Sequence, residues 1–340
     1  MNRQIISICT LSILLTFFFV QLKGQIGFNN SKQFKNEKIP LDVKNTIVQA
    51  DKKIIEAIRN DRIETVKDIL NKELISTVGE SRFDSLLHGM KSLLSNFDLE
   101  YKDQFYIENT TDSSPITIFS GFLSDYDYSI NYRTTVKKVF VSLIMPKEVV
   151  NKFLITLIYA LDSDDWKLNY IQFGQFSVFN KTAIDFYKNA REEFDKGFLI
   201  DAGFDLFYGR QCLRPAAHLM QYLKEDDFIK LQNKVNSTIN STYTFPLIIE
   251  QIITQPEILN ILTEHDKKEW FPLIKYFSRI PIKDTINLKF ENQQIQRNIG
   301  MIFKGIEKNK KFIYYNVVNE MPGGSNKEID HYGFIQTLDK

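Results

Sequence analysis

The spacing of apolar positions along this chain changes several times, and each change marks a boundary. Residues 5 to 20 form an apolar run without a charge, preceded by Arg3 and followed by the polar Lys23-Gly24-Gln25. A cation, an apolar run and then a small residue read as an export leader over residues 1–25, with Gly24 near the cleavage point. The run sits at the short end of the roughly 17–25 residues that span a bilayer, so an uncleaved anchor is the alternative. Cys9 lies inside the run and not after it, which argues against a lipid anchor. Residues 26–44 are polar, rich in Asn and Lys, and read as a flexible tether.

A helical period follows. Ile47, Ala50, Ile54 and Ile58 recur at three- and four-residue spacing and fall on one helical stripe. Asn60 and Asp61 break the run, and Asp61 with Glu64 predicts a capping-box start for a second helix carrying Ile63, Val66, Ile69 and Leu70. A third helix is predicted over about 81–95, with Phe83, Leu86, Leu87, Met90 and Leu94 available for burial.

The period then drops to two. Residues 101–108, 116–122, 126–133, 136–145, 153–161 and 166–178 read as strands, separated by turn clusters at 113–115 and 162–165. Helices followed by a run of antiparallel strands predict an α+β domain, with the helices on one face of a curved sheet. In DYDYSINYR, residues 125–133, alternation sends Tyr126, Tyr128, Ile130 and Tyr132 one way and the polar residues the other. If the tyrosines face helices they are core; if they face a void, their hydroxyls are candidates for holding a ligand.

AIRNDRIETVKDIL, residues 57–70, resembles the opening helices of the nuclear-transport-factor-two-like superfamily, and DDWKLNYIQF, residues 164–173, resembles its closing strand. The resemblance covers about 45–180. It implies a cone-shaped α+β fold wrapping a hollow. That superfamily includes enzymes, immunity and transport factors and plain binding modules, so the resemblance implies no activity and carries over no catalytic residue.

From about 181 the pattern is helical again. Residues 183–215 look like one tetratricopeptide-type hairpin, with Ala183, Phe186, Tyr187, Ala190 and Phe194 facing Ala202, Leu206 and Phe207 across a turn at Lys196-Gly197. A solenoid needs about three such repeats, and no second one is found, so 181–223 reads as a helical connector. Residues 224–340 read as a second α+β domain. A helix carries Phe228, Leu231, Val235 and Ile239, and a strand is expected from Thr244 to Ile253. A short helix is expected from Thr254 to Leu262, strands at 285–290, 311–318 and 331–338, and a helix between 291 and 303.

Composition adds exclusions. The 43 Lys+Arg against 42 Asp+Glu become 41 against 42 once Arg3 and Lys23 leave with the leader. No basic excess marks a nucleic-acid binder. Of two cysteines, Cys9 leaves with the leader and Cys212 remains, so no internal disulfide forms, and the apolar pattern around Cys212 predicts a buried small hydrophobe. His88, His218, His265 and His331 are scattered singly, with no metal-ligand spacing. Asp162-Ser163-Asp164-Asp165 lacks the glycine and distal glutamate of a calcium loop, and MPGGSNKE, 321–328, is no phosphate cradle. No motif asks for a cofactor, and no catalytic residue is assigned.

Asp201 and Asp205 share a helical face as an acid/base pair would, but a solvated face is the expectation, since nothing nearby in sequence shifts their pKa values. Arg210 and Arg214, four apart, form the one short-range guanidinium pair of the second half able to clamp an anion. The candidate ligand residues are therefore Tyr126, Tyr128, Tyr132, Arg210 and Arg214. The expected function is an exported, non-enzymatic module binding a small molecule, glycan or protein. It has no nucleic-acid partner and no stable membrane insertion once the leader is removed. The alternatives are a hydrolase or isomerase with a pocket carboxylate or tyrosine in the first domain, and an envelope-associated scaffold.

Overall fold

The computed structural model describes residues 31–71, 79–94, 97–321 and 330–338. The leader and the glycine-rich 322–328 lie outside the described residues, within which there are seven helices and fifteen strands, an α+β fold. Helices α1 (Leu41–Arg59), α2 (Ile63–Lys67) and α3 (Glu80–Leu94) come first. Their buried stripe of Ile47, Ile54, Ile58, Val66, Phe83, Leu87 and Met90 reproduces the predicted spacing. Asp61 plays another part than the predicted cap. It takes a left-handed φ of 58° at the end of α1 and pairs with His88 and Lys91 of α3 at 2.7 and 3.2 Å.

The first sheet has the order β1-β2-β5-β6-β7 and is antiparallel throughout, from β1 (Lys32–Lys35), β2 (Leu99–Glu108), β5 (Lys138–Pro146), β6 (Phe153–Asp162) and β7 (Asp165–Gln175). The expectation of a flexible tether is corrected for residues 32–44. Phe34 of β1 stacks on Tyr106 at 5.7 Å, and Asn36 reaches Asp103 and the Gln104 amide, which fixes this stretch on the edge of the sheet.

Both faces of this sheet are covered. Tyr106, Phe140, Ile144, Ile155, Leu157 and Tyr159 face α1–α3. Phe105, Ile107, Val139, Val141, Leu143, Leu154 and Ile158 face a second helical layer of α4 (Ala183–Asp195), α5 (Leu199–Gln211) and α6 (Glu225–Thr242). A strand buried on both sides is apolar without alternation, which is why VFVSLIM and LITLIYAL read as continuous runs. This face of the sheet is thus covered by helices of its own chain, which supply Phe186, Ala190, Leu206, Phe228 and Val235.

A smaller sheet, β10-β4-β3, joins the two parts of the chain. β3 (Pro115–Phe119) and β4 (Tyr128–Arg133) form a hairpin, and β10 (Met220–Tyr222), from the segment read as purely helical, pairs with β4 through Met220 to Ile130 and Tyr222 to Tyr128.

The last sheet is β11-β12-β13-β14-β15, with α7 (Thr285–Ile302) packing Leu288, Ile295 and Ile299 against Ile258, Ile274, Tyr276, Ile313 and Tyr315. Three expectations are corrected here. Only β11 (Leu247–Ile248) is a strand within 244–253. Residues 257–262 belong to strand β12 (Glu257–His265), because pairing with β13 (Trp270–Phe277) overrides the local capping signal. Residues 285–290 begin α7, started by Asp284, whose side chain accepts from the Asn287 amide at 3.2 Å. The runs at 311–318 and 331–338 do form β14 (Phe312–Val318) and β15 (His331–Thr337).

Candidate functional site

The five residues singled out from sequence are dispersed. Tyr128 is 1% exposed, lies in the core under the second helical layer, and donates its hydroxyl to Asp103 at 2.5 Å. Tyr132 packs on the edge of the same core. Tyr126 precedes β4 in a turn and points outward, with Lys188 over its ring at 4.5 Å and its hydroxyl donating to Asp185 at 2.6 Å. That contact braces the capping box in which Thr182 and Asp185 start α4. Arg214 lies past the end of α5, where its guanidinium is committed to Glu225 at the start of α6, while Arg210 stands exposed on the last turn of α5. Neither the tyrosines nor the arginines converge on a shared space. Cys212 is fully buried, and burial pushes its thiol up to about 12, so it serves as packing and not as a nucleophile.

A polar cluster lies inside the first domain, around Asp51. Asp51 of α1 is wholly buried against the sheet, where its Oδ1 accepts from the Tyr159 hydroxyl at 2.7 Å. Its Oδ2 accepts from the Ser142 hydroxyl at 2.7 Å and the Tyr101 hydroxyl at 3.0 Å. Burial lifts this carboxyl to about 6 in spite of the three donors.

Polar groups meet open space elsewhere, at the junction of the α4–α5 hairpin with the last sheet. A cavity of about 270 Å³ opens there, and its wall includes Lys181, Asn189, Glu193, Asp205, Trp270 and Lys310. The hairpin builds one side. α4 ends at Lys196-Gly197, Gly197 turns the chain at a φ of 77°, and α5 returns antiparallel, bringing Glu193 beside Asp201 and Asp205. The β12–β13 turn and the loop after α7 build the other side with Trp270 and Lys310. Trp270 is wedged against Phe204 and donates its indole N–H to Asp205 Oδ1 at 3.1 Å. Lys310 reaches Asp201 at 2.5 Å and lies over the Trp270 ring at 4.8 Å. Gly305 seats the loop, since a Cβ there would meet the Phe198 ring at 2.2 Å and its φ of 90° suits glycine.

Asp201 and Asp205 are each 2% exposed, which corrects the expectation of a solvated face. Burial raises all three carboxyls. Asp201 rises to about 6, held back by Lys310, and Asp205 is raised and held back by Lys181 and the Trp270 bond. Glu193 goes furthest, to about 8, by burial first and then by the charges of Asp205 and Asp201. Its Oε2 is sealed from solvent and accepts no hydrogen bond. The junction therefore sets Glu193, its pKa raised, beside aspartates and lysines. Among the described residues no three carboxylate, histidine or cysteine groups converge as metal ligands.

A signal for this site was present in the sequence. LIDAGFDLFYGR is apolar around most of its circumference, and a helix of that kind is buried, so acids on it are buried too. Glu193, Lys181, Trp270 and Lys310 carry no comparable mark, because only the docking of three distant segments brings them together. No family model, no curated protein and no solved structure matches this chain.

Proposed function

We propose that this chain is an exported binding protein whose ligand is a small polar molecule held in the junction cavity. One observation carries the reading: a recess of about 270 Å³ lined by the buried Asp205 and Lys310 and by the half-buried Glu193, whose Oε2 is sealed without a hydrogen-bond partner. Burying the carboxyls of Asp201 and Asp205 costs stability that a plain interface between two segments does not need, and binding sites are where such a cost recurs. The volume is at the small end of ligand pockets, which points to a metabolite-sized molecule and not a chain. The leader, with its cation, apolar run and small residue, supports export. A nuclear-transport-factor-two-like origin for residues 45–180 belongs to the same proposal, supported by three helices followed by an antiparallel sheet.

A second reading, catalysis, is favoured by Glu193, whose burial and neighbouring carboxylates raise its pKa in the direction a general acid needs. It places the chemistry at the junction, where perturbed carboxyls meet a cavity.

The test is a thermal-shift screen with sugars, amino acids, amines and organic acids. A saturating ligand at a hundred times its Kd adds about 2.7 kcal/mol of stability. The exposed rim residue Glu192, replaced by Trp, blocks the cavity and abolishes the shift. The proposal fails if no class gives a saturable shift, or if Glu192→Trp leaves it intact. Export is checked by the mass of protein recovered outside the cytoplasm. A chain starting near residue 26 is expected, and full-length protein retained in the cytoplasm refutes that part.

A further inference from the structure

We infer that the outer edge of β15 is an interface for a second copy of this chain, the two β15 strands pairing antiparallel about a two-fold axis at Phe334. β15 (His331–Thr337) is paired with β14 on one side, in an unbroken register that runs from Phe312 opposite Thr337 to Val318 opposite His331. The Leu338 amide donates to the Lys311 carbonyl at 2.9 Å, so Leu338 belongs to a hydrogen-bonded pair. Alternation along an antiparallel ladder then turns the backbone groups of Tyr332, Phe334 and Gln336 toward β14, and those of His331, Gly333, Ile335 and Thr337 outward. Among the described residues, no backbone hydrogen bond from another segment reaches these four outward positions.

An open strand edge is a template for pairing, and folds blunt it with charge, proline, shortness or a covering segment. The other edges of these sheets are blunted. β1 carries Lys32 and Lys35, β3 opens on Pro115, and β10 and β11 are three and two residues long. Leu168 of β7 exchanges backbone hydrogen bonds with Ile69 and Asn71. β15 has seven residues with no bulge, no proline and no acidic or basic side chain besides His331, and its Ile335 is 61% exposed. Gly333 is a second sign. A glycine inside a strand marks the close approach of another backbone. Its own chain does not require one: a Cβ there would meet no atom nearer than the Tyr315 carbonyl oxygen at 3.9 Å, and no left-handed φ calls for it.

The occupant is a second copy because the edge complements itself. With the axis at Phe334, Gly333 of each copy faces Ile335 of the other and His331 faces Thr337, so every outward residue is paired. An axis at Gly333 or Ile335 would push Thr337 or His331 past the end of the strand. Phe334 and Leu338 pack into the core beside α7, so Ile335 lies on the opposite side of the sheet, where each Ile335 covers the other copy's Gly333. Phe334 meets its counterpart at the close spacing of a non-hydrogen-bonded pair, and Tyr332 falls opposite Gln336. No charge meets a like charge. The two five-stranded sheets become one continuous sheet. Each copy offers one such edge among the described residues, so the pairing closes at two.

Sedimentation velocity on the mature chain from about 1 to 100 μM, a range that brackets a small interface, should show a monomer–dimer equilibrium. Ile335→Lys places a charge on an exposed edge position and should weaken dimerisation at least about tenfold, with the circular dichroism of the parent retained. Phe334→Cys should cross-link two copies in oxidised glutathione, since opposed residues of a non-hydrogen-bonded pair lie about 4.5 Å apart, within disulfide reach. Tyr332→Cys, displaced from the axis, should not cross-link, and the buried Cys212 does not compete. A chain that stays monomeric up to about 100 μM overturns the second copy and leaves the edge to a strand of another protein. A dimer untouched by Ile335→Lys places the interface elsewhere and overturns the inference. Cross-linking through Tyr332→Cys as fast as through Phe334→Cys overturns the register. If Ile335→Lys does not fold, the two cysteine variants decide the matter alone.

Discussion

Replacing Asp51 by Asn isolates one ionisation buried in the first domain. The aspartate is wholly enclosed, with donors from Tyr159, Ser142 and Tyr101, yet burial lifts its pKa from an ordinary 3.8 to about 6. The folded state therefore binds the proton more tightly than the unfolded state. Its contribution to stability is fully present below the unfolded pKa and is lost as pH rises through 6. At about 1.4 kcal/mol per pKa unit, the shift corresponds to about 3 kcal/mol between pH 4 and pH 7. Asp51→Asn lacks this titration but keeps the shape, so its stability relative to the parent should improve by about 3 kcal/mol across that window. Urea unfolding of both proteins at half-unit pH steps measures the difference. Other groups titrate in both proteins and cancel. Two curves that run parallel from pH 4 to 7 would refute the reasoning, since Asp51 would then not ionise in that range in the folded protein.

The two arginines separate in their effects. Arg214→Ala strands the buried Glu225 and should cost about 1–3 kcal/mol. The exposed Arg210→Ala should stay within about 0.5 kcal/mol, and equal losses in thermal unfolding would contradict the assignment of Arg214 to Glu225. Gly305→Ala introduces a Cβ 2.2 Å from the Phe198 ring at a φ of 90°, so it should lower stability by about 1–3 kcal/mol and weaken any ligand of the cavity. Trp166→Phe leaves Trp270 as the remaining tryptophan, and its emission should titrate with a midpoint near pH 8 as Glu193 ionises. The midpoint should vanish in Glu193→Gln, and persistence there would assign it to another group.

How far the sequence reaches depends on whether neighbours along the chain or distant segments fix a residue. The stripe of Ile47, Ile54 and Ile58, the period-two strands and the hairpin turn at Gly197 are set by contacts a few residues apart, and they were legible. Residues 257–262 were misread because pairing with β13 outweighs a capping signal of about 1 kcal/mol, and 285–290 because the Asp284 cap that starts the helix there was overlooked.

For Tyr128, alternation grouped it rightly with Ile130 and Tyr132 and wrongly with Tyr126, which sits in the turn before β4, and it did not tell what lies on that face. The α4–α6 layer, from fifty and more residues later in the chain, fills it and makes Tyr128 core. The junction cavity lies beyond sequence for the same reason. Asp201 and Asp205 could be seen as a pair, but burial raises their pKa values, and Lys181, Trp270 and Lys310, which arrive from both sides of them in the chain, hold the rise back. Charge burial is a property of the assembled wall. The sequence by itself determined most of the secondary elements and the α+β class. Only the tertiary structure decided which acids lost their water, because desolvation depends on everything packed around a group and not on its neighbours along the chain.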